Sequence, residues 1–130
     1  MREENIHLSL PVNAAYVSAA RLTASSIANR MTFDIDEIED IKAAVSEACT
    51  FVIKHSPPNG PKDFSLEFTM GAGELSIAIE TQASLPIKNP EGEMGLVMIR
   101  ALMDSVGLDQ GDPQKFTINM VKKHKAISFD

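Results

Sequence analysis

Alternating apolar residues predict short strands in several parts of the chain. Ile6, Leu8 and Leu10 are separated by single polar residues, the period of a strand with one buried face. The same alternation recurs in three later segments: 64–70, 75–79 and 116–121. The turn 71–73 joins the first two of these into a hairpin, and Gly107 and Gly111 bracket one more short strand.

Between the strands, apolar residues recur at steps of three and four, the period of an amphipathic helix. Three segments have this pattern: Ala14 to about Met31, Asp36 to about His55, and Met94 to about Val106. Asn13 is the expected cap of the first helix, and Asp36 with Glu39 forms a capping-box-like pair at the start of the second. The segment 57–61, with three prolines and a glycine, ends the second helix.

The order strand, helix, helix, hairpin, helix, hairpin predicts an α+β fold. Three helices should cover one face of a mixed, mostly antiparallel sheet, which makes a two-layer sandwich. A chain of 130 residues suffices for one core, so residues 1–130 are interpreted as a single domain.

Composition excludes several functions. The net charge of -6 argues against nucleic acid as a partner, and the basic segment 122–125 is short. No apolar run approaches the roughly 18 residues of a membrane helix, and the N-terminus lacks the features of a signal peptide. Cys49 is the one cysteine, and His7, His55 and His124 lack the spacing of metal ligands. The sequence therefore predicts a cytoplasmic protein that binds no membrane and no metal ion through these side chains.

The segment Ser46 to Phe51, SEACTF, contains the first candidate for chemistry. Glu47 and Phe51 are four residues apart in the second helix and should share one face. A carboxylate suits a wet, catalytic space, whereas a phenyl ring suits a packed one.

Three segments together resemble the anti-sigma factor serine kinases of the histidine-kinase-like (GHKL, Bergerat-fold) ATPase superfamily: RLTASSIANR, DEIEDIKAAVSEACT and GEMGLVMIRALMDSV. The resemblance covers most of the chain, in the same order. It implies a homodimer, paired through the sheet and the region of the first helix, that holds a sigma factor inactive. It further implies phosphorylation of a serine on a STAS-domain anti-anti-sigma partner with ATP and Mg²⁺. Arg21 matches an arginine on the partner-facing first helix; the alternative is a surface arginine whose stem covers apolar atoms.

The resemblance implies that Glu47 is the general base and places Phe51 where an asparagine holds the magnesium ion. Phenylalanine has no oxygen to offer a cation that requires oxygen ligands. The carboxylate is retained, and the metal ligand is replaced. The simplest interpretation of Phe51 is a residue that fills a vacated pocket; the alternative is a pocket remade for another ligand.

A second motif, one aspartate and two glycines in the family, aligns with residues 80–84 of this chain. Glu80 takes the place of the carboxylate that accepts from adenine. Gln82 and Ser84 take the places of the two glycines that let the backbone approach the nucleotide. The match predicts that adenine binding is impaired.

The third motif is the glycine-rich turn before the third helix, whose backbone amides bind phosphate in the family. Gly92 and Gly95 remain, but Glu93 puts a negative charge beside the phosphate site. The lid loop before it, residues 85–91, is short for closing over ATP.

Two functions remain open at this point. The favoured one is an anti-sigma-factor-like binding module that switches partners, with impaired or lost ATP binding and kinase activity and no cofactor. The alternative is a divergent ATP-dependent protein serine kinase acting on a STAS-domain partner, with ATP and Mg²⁺ in the pocket. The binding module is favoured because phosphoryl transfer depends on positioning and on charge stabilisation by the metal and the phosphate cradle. A dimeric scaffold with a small effector in the pocket is a third possibility.

Overall fold

The computed structural model describes residues 3–85, 87–89 and 92–125. Within these ranges the elements follow in this order: β1 (Glu4–Pro11), a 3₁₀ turn (Ala14–Tyr16), α1 (Val17–Arg30), α2 (Ile35–His55), β2 (Asp63–Gly71), β3 (Glu74–Thr81), α3 (Met94–Leu102), β4 (Ser105–Asp109) and β5 (Phe116–Lys123). The strands form one sheet in the order β1-β2-β3-β5-β4, and each of these pairings is antiparallel. The predicted fold, three helices on a mostly antiparallel sheet, is confirmed, and no parallel pair occurs among the described strands.

The core lies between the helices and one face of the sheet. Every second residue of β3 is buried, and Leu75, Ile77 and Ile79 face the helices. On α1, Ala20, Ala24 and Ala28 are fully buried and recur every four residues, so α2 can pack closely against this face. Because α2 contacts both α1 and α3, it is the middle helix of the layer. None of the helices in the described ranges is long and apolar enough to cross a membrane.

Cys49 lies inside the core on α2 and is fully buried. Burial raises the pKa of its thiol to about 12, so the reactive thiolate is disfavoured at neutral pH. The residue acts as a small packing group.

The capping box of α2 lies two residues earlier than predicted. Asp34, not Asp36, is the N-cap, and its Oδ1 accepts from the backbone N–H of Glu37 at 2.7 Å. Oε1 of Glu37 accepts from the N–H of Asp34 at 2.9 Å, which completes the box. Oε2 of Glu37 also accepts from the N–H of Lys125 at 2.7 Å. Because Lys125 also contacts Glu37, the capping box forms with Glu37 and not with Glu39.

The third helix ends at Leu102, four residues before the predicted end. Met103 has extended backbone angles, and the N–H of Asp104 donates to the carbonyl oxygen of Val121 at 2.9 Å. Lys122 caps the end of α3, because its Nζ donates to the carbonyl oxygen of Leu102 at 2.6 Å. The chain therefore leaves the helix to pair with β5.

His124 joins the end of the sheet to the turn between α1 and α2. Its Nε2 lies 2.7 Å from the carbonyl oxygen of Thr32, and its Nδ1 lies 3.1 Å from that of Lys125. The ring also stacks on Phe33, with centroids 5.2 Å apart. Both acceptors are satisfied only when both ring nitrogens carry hydrogen, which is the imidazolium form. The backbone hydrogen bonds, first that of Thr32, raise the pKa of His124 above its ordinary value of 6.5.

The stability of the protein should depend on pH through His124. Because the pKa is raised in the folded state, the stabilisation is complete below about pH 6.5 and is lost as pH rises through the folded pKa. Urea unfolding of the wild type and of His124→Gln, measured from about pH 5 to about pH 9, should show a difference at low pH that shrinks at high pH. A constant difference between the two proteins would contradict this role.

Candidate functional site

A small cleft opens between the middle of α2 and the N-terminal end of α3. Its volume is about 220 Å³, below the roughly 300–1,000 Å³ of most small-molecule pockets. Seven residues line it: Glu47, Thr50, Phe51, Lys54, Glu93, Met94 and Gly95. The structure thus brings together the residues that the sequence singled out on α2 and at the start of α3.

Phe51 fills the base of this cleft. Its side chain is 4% exposed. The ring stacks on Phe116 of β5, with centroids 5.9 Å apart, and contacts the ring of His55 with centroids 4.6 Å apart. Burying a ring of this size stabilises the fold by about 1.5–3 kcal/mol. The ring is therefore part of the core at the position where a metal ligand was expected.

Glu47 lies beside Phe51 and faces α3. Its carboxylate makes no hydrogen bond or ion pair with another residue in the described part of the chain. A β-carbon at Gly95 would lie 3.4 Å from Oε2 of Glu47 and 3.9 Å from the ring of Phe51. Gly95 therefore lets the start of α3 approach this half-buried carboxylate closely.

Side-chain hydrogen bonds hold α3 at both ends. At its start, Oε1 of Glu93 lies 2.6 Å from Nε2 of His55, and both side chains are partly buried. At its end, Nζ of Lys122 donates to the carbonyl oxygen of Leu102 and, at 3.2 Å, to Oδ2 of Asp40. Glu93 and His55 are separated by 38 residues. Sequence reasoning did not find this pair, because no local pattern predicts a contact across that separation.

Glu80 does not join Glu47 in the cleft, which corrects the position expected from the second motif. It lies on the sheet face away from the helices, where its Oε2 accepts from Nε2 of Gln82 at 2.7 Å. Nζ of Lys115 lies 3.9 Å from its Oε1. The physical reason is that side chains along a strand alternate between the two faces of the sheet. Because Ile79 faces inward, Glu80 faces outward.

Thr81 is the residue at this strand end that faces the helices. It is 1% exposed, pairs in register with Phe116, and its Oγ1 makes no hydrogen bond with another described residue. Continuing the alternation of Ile77 and Ile79 by one step would have identified it. Its hydroxyl is shorter than the carboxylate of the family motif and carries no charge.

The remaining loop residues lie away from the cleft. Gln82 and Ser84 are exposed, as is Gly92, whose N–H donates to the carbonyl oxygen of Asn89 at 3.2 Å. Leu85 is buried against the core. The predicted lid, 85–91, lies partly outside the described residues, because 86, 90 and 91 are not among them.

Arg21 lies on the other side of α2. It is exposed on α1 and lines a second cleft, of about 210 Å³, with Ser18, Leu22 and Lys42. Leu22 is 70% exposed. Arg21 lies beside this exposed leucine with Lys42, whose Nζ is 3.0 Å from Oε2 of Glu39; the surface suits an acidic partner with an apolar contact.

Comparison with known proteins agrees with this geometry. Residues 10–122 match the family model of the histidine kinase-like ATPase domain. The chain belongs to the histidine kinase-like ATPase family.

Similar proteins within the family include serine-protein kinases named RsbW. Those of Bacillus thuringiensis (strain Al Hakam) and Bacillus cereus (strain AH820) are each 32% identical over an alignment that covers 85% of this chain and 81% of the relative. The resemblance to the anti-sigma factor serine kinases is therefore confirmed at the level of the family.

A solved structure supports the same fold. The crystal structure of the RsbU and RsbW domains of a Mycobacterium tuberculosis protein superposes with a TM-score of 0.74 at 16% identity. The match covers 92% of this chain but only 32% of that longer chain. At this identity the likeness shows the shared fold alone.

The residues of the cleft do not fit a magnesium–ATP complex. A hard cation needs oxygen ligands, and the buried side chain at the expected position is the phenyl ring of Phe51. The phosphates need cations or free backbone amides, yet Glu47 and Glu93 bring two carboxylates and only Lys54 brings a positive charge. The cleft is therefore too small and too acidic for the group that the family implies.

Proposed function

We propose that this chain is an anti-sigma-factor-like regulatory protein that acts by switching between protein partners and neither binds Mg²⁺-ATP nor transfers phosphate. The observation that carries the proposal is the buried ring of Phe51, packed on Phe116 and His55. Moving this ring aside for a ligand would leave a cavity in the core, which costs about 3–5 kcal/mol for a phenyl group.

A second candidate, a divergent protein serine kinase, is favoured by Glu47. Its carboxylate lies in the cleft, has no ion-pair partner among the described residues, and is close to Gly95 at the start of α3. A lone base contributes typically 10²–10⁴-fold to a reaction rate. Phosphoryl transfer needs in addition the metal and the phosphate cradle, so the partner-switching function is the stronger candidate.

Nucleotide titration tests the proposal directly. Isothermal titration of the purified protein with ATP and with ADP, each with and without Mg²⁺, should show no binding at millimolar nucleotide. The physical reason is the combination of the ring of Phe51 and the carboxylates of Glu47 and Glu93 in the cleft. Magnesium-dependent binding in the micromolar range would reject the proposal and make the kinase the better candidate.

The proposed partners are a sigma factor and a STAS-domain anti-anti-sigma protein, which would bind the surface around Arg21. The exposed Arg21 and Leu22, with the partly buried Lys42 beside them, support this site. Arg21→Ala should weaken the binding of a purified partner of either class about tenfold and leave the melting temperature unchanged, since the side chain is exposed. Unchanged affinity in surface plasmon resonance would remove this surface from the proposal.

We also propose that residues 1–130 form one domain of a cytoplasmic protein. We further propose that the protein is a homodimer paired through the outer face of its sheet. A groove of about 340 Å³, lined by Thr69, Ser76, Ala78 and five other residues of β2, β3 and β5, supports this arrangement. Sedimentation equilibrium would test it: a monomer at micromolar concentration would rule out the dimer.

A further inference from the structure

The outer side of α3 carries an exposed strip of apolar residues. Met94, Val97 and Met98 are 72%, 48% and 42% exposed, and Ala101 continues the same spacing of three and four. The opposite side of the helix, centred on Leu96, is fully buried. A helix that is apolar on both sides is normally covered on both sides, so this strip indicates a docking surface.

The strip runs into the cleft beside α2. Met94 lines both the strip and the cleft, which it shares with Glu47 and Thr50. We call the cleft and the strip together the α2–α3 groove. From Met94 to Ala101 the strip extends for about 10 Å along the helix axis, at 1.5 Å per residue, which corresponds to two turns of a partner helix.

Charge decides which occupant fits the groove. An occupant that covers Met94 also takes water away from Glu47, whose carboxylate is half-buried and has no ion pair with another described residue. Covering an unpaired carboxylate is unfavourable unless the occupant supplies a cation. Glu93 and Lys54 lie at the same end of the groove; Glu93 is already paired with His55, and Lys54 makes no ion pair with Glu47. The occupant should therefore carry its positive charge at the Glu47 end.

A helix is the form of occupant that matches an apolar strip of this length. Amphipathic helices bind grooves through residues at the same spacing of three and four that the strip presents. Methionine side chains such as those of Met94 and Met98 adapt to different apolar surfaces, which suits a site that receives a helix from another protein.

We propose that the α2–α3 groove binds an amphipathic helix of a partner protein, with a lysine or arginine of that helix facing Glu47. This surface lies on the opposite side of α2 from Arg21 and has the opposite charge preference. The inference rests on the proposed function in one respect, since the groove must be free of nucleotide.

Fluorescence anisotropy with two designed helical peptides tests the proposal. Both peptides carry leucines at steps of three and four, and they differ in having lysines or glutamates beside the leucine stripe. Wild-type protein should bind the lysine peptide at least about fivefold more tightly than the glutamate peptide. Glu47→Gln, a change of charge at nearly constant shape, should abolish this preference.

Variants of the strip test its apolar part. Val97→Thr with Met98→Gln keeps the side-chain sizes and should weaken binding of the lysine peptide about tenfold, because both residues are exposed and contribute apolar contact. Arg21→Ala is the matched control on the other side of α2 and should leave peptide binding unchanged.

Equal affinity for the two peptides, or no effect of the strip variants, would overturn the proposal. Conversion of a dimer to a monomer by Val97→Thr with Met98→Gln, seen by sedimentation, would assign the strip to self-association and also overturn it. Nucleotide titration without peptide separates this inference from the proposed function. A protein that binds Mg²⁺-ATP yet keeps the preference that depends on Glu47 would refute the proposed function and support the helix site.

Discussion

Replacing Phe51 with asparagine should lower the free energy of unfolding by about 3–5 kcal/mol without producing magnesium-dependent ATP hydrolysis. The stability loss is that of a deleted core ring, made worse by a buried amide beside Phe116. No activity should appear, because Glu93 and the altered loop at Gln82 and Ser84 remain. Urea unfolding measures the first effect, and an assay of phosphate release measures the second.

Phe51→Leu is the matched control for this experiment. It keeps most of the apolar volume, so its cost should be about 1–2 kcal/mol. Measurable Mg²⁺-dependent turnover in Phe51→Asn would show that Phe51 alone prevents ATP hydrolysis. This result would contradict the proposal that the site is altered in several places. A stability loss no greater than that of Phe51→Leu would show that the ring does not pack as described.

Replacing Glu37 with alanine should cost about 2–6 kcal/mol of stability. Glu37 is 1% exposed, and its two carboxylate oxygens accept from the backbone N–H groups of Asp34 and Lys125. Removing a charged acceptor from each donor costs roughly 1–3 kcal/mol apiece. The change therefore affects the start of α2 and the end of the chain at once, which urea unfolding would report.

Two control substitutions give the stability losses with which Glu37→Ala is compared. Glu39→Ala, on the exposed side of the same helix turn, should cost less than about 0.5 kcal/mol. Glu37→Gln keeps an acceptor for Asp34 but turns an amide toward the N–H of Lys125, so its cost should lie between the other two. An equal loss of stability in Glu37→Ala and Glu39→Ala would show that the hydrogen bond between Glu37 and Lys125 does not stabilise the fold.

The fold was largely predictable from the sequence, because each strand and helix has a clear period. The predicted helix boundaries differ from the observed ones, because more than one residue near each end could serve as the cap. Asp34 with Glu37 and Asp36 with Glu39 have the same spacing, and a contact from Lys125 decides between them. Nothing near Glu37 in the sequence indicates that contact.

The candidate site was predictable in part. The positions of Glu47 and Phe51 follow from helical spacing, and the structure places both in one cleft. Glu80 was matched to the family carboxylate, but strand alternation turns its side chain away from the helices and turns Thr81 toward them. Strand alternation, which selects Thr81, was the more reliable guide. The pair of His55 and Glu93 joins distant segments and leaves no signal in either.

The two-ended attachment of α3 has a consequence for regulation. Glu93 contacts His55 and the carbonyl oxygen of Leu102 accepts from Lys122, so both ends of the helix are attached to neighbouring elements. When only a fraction of molecules is competent to bind, the apparent affinity falls by that fraction. A helix that stays attached at both ends carries no such penalty. Under the proposed function, control of this protein would then depend on how much of each competing partner is present, and not on a change in its own shape.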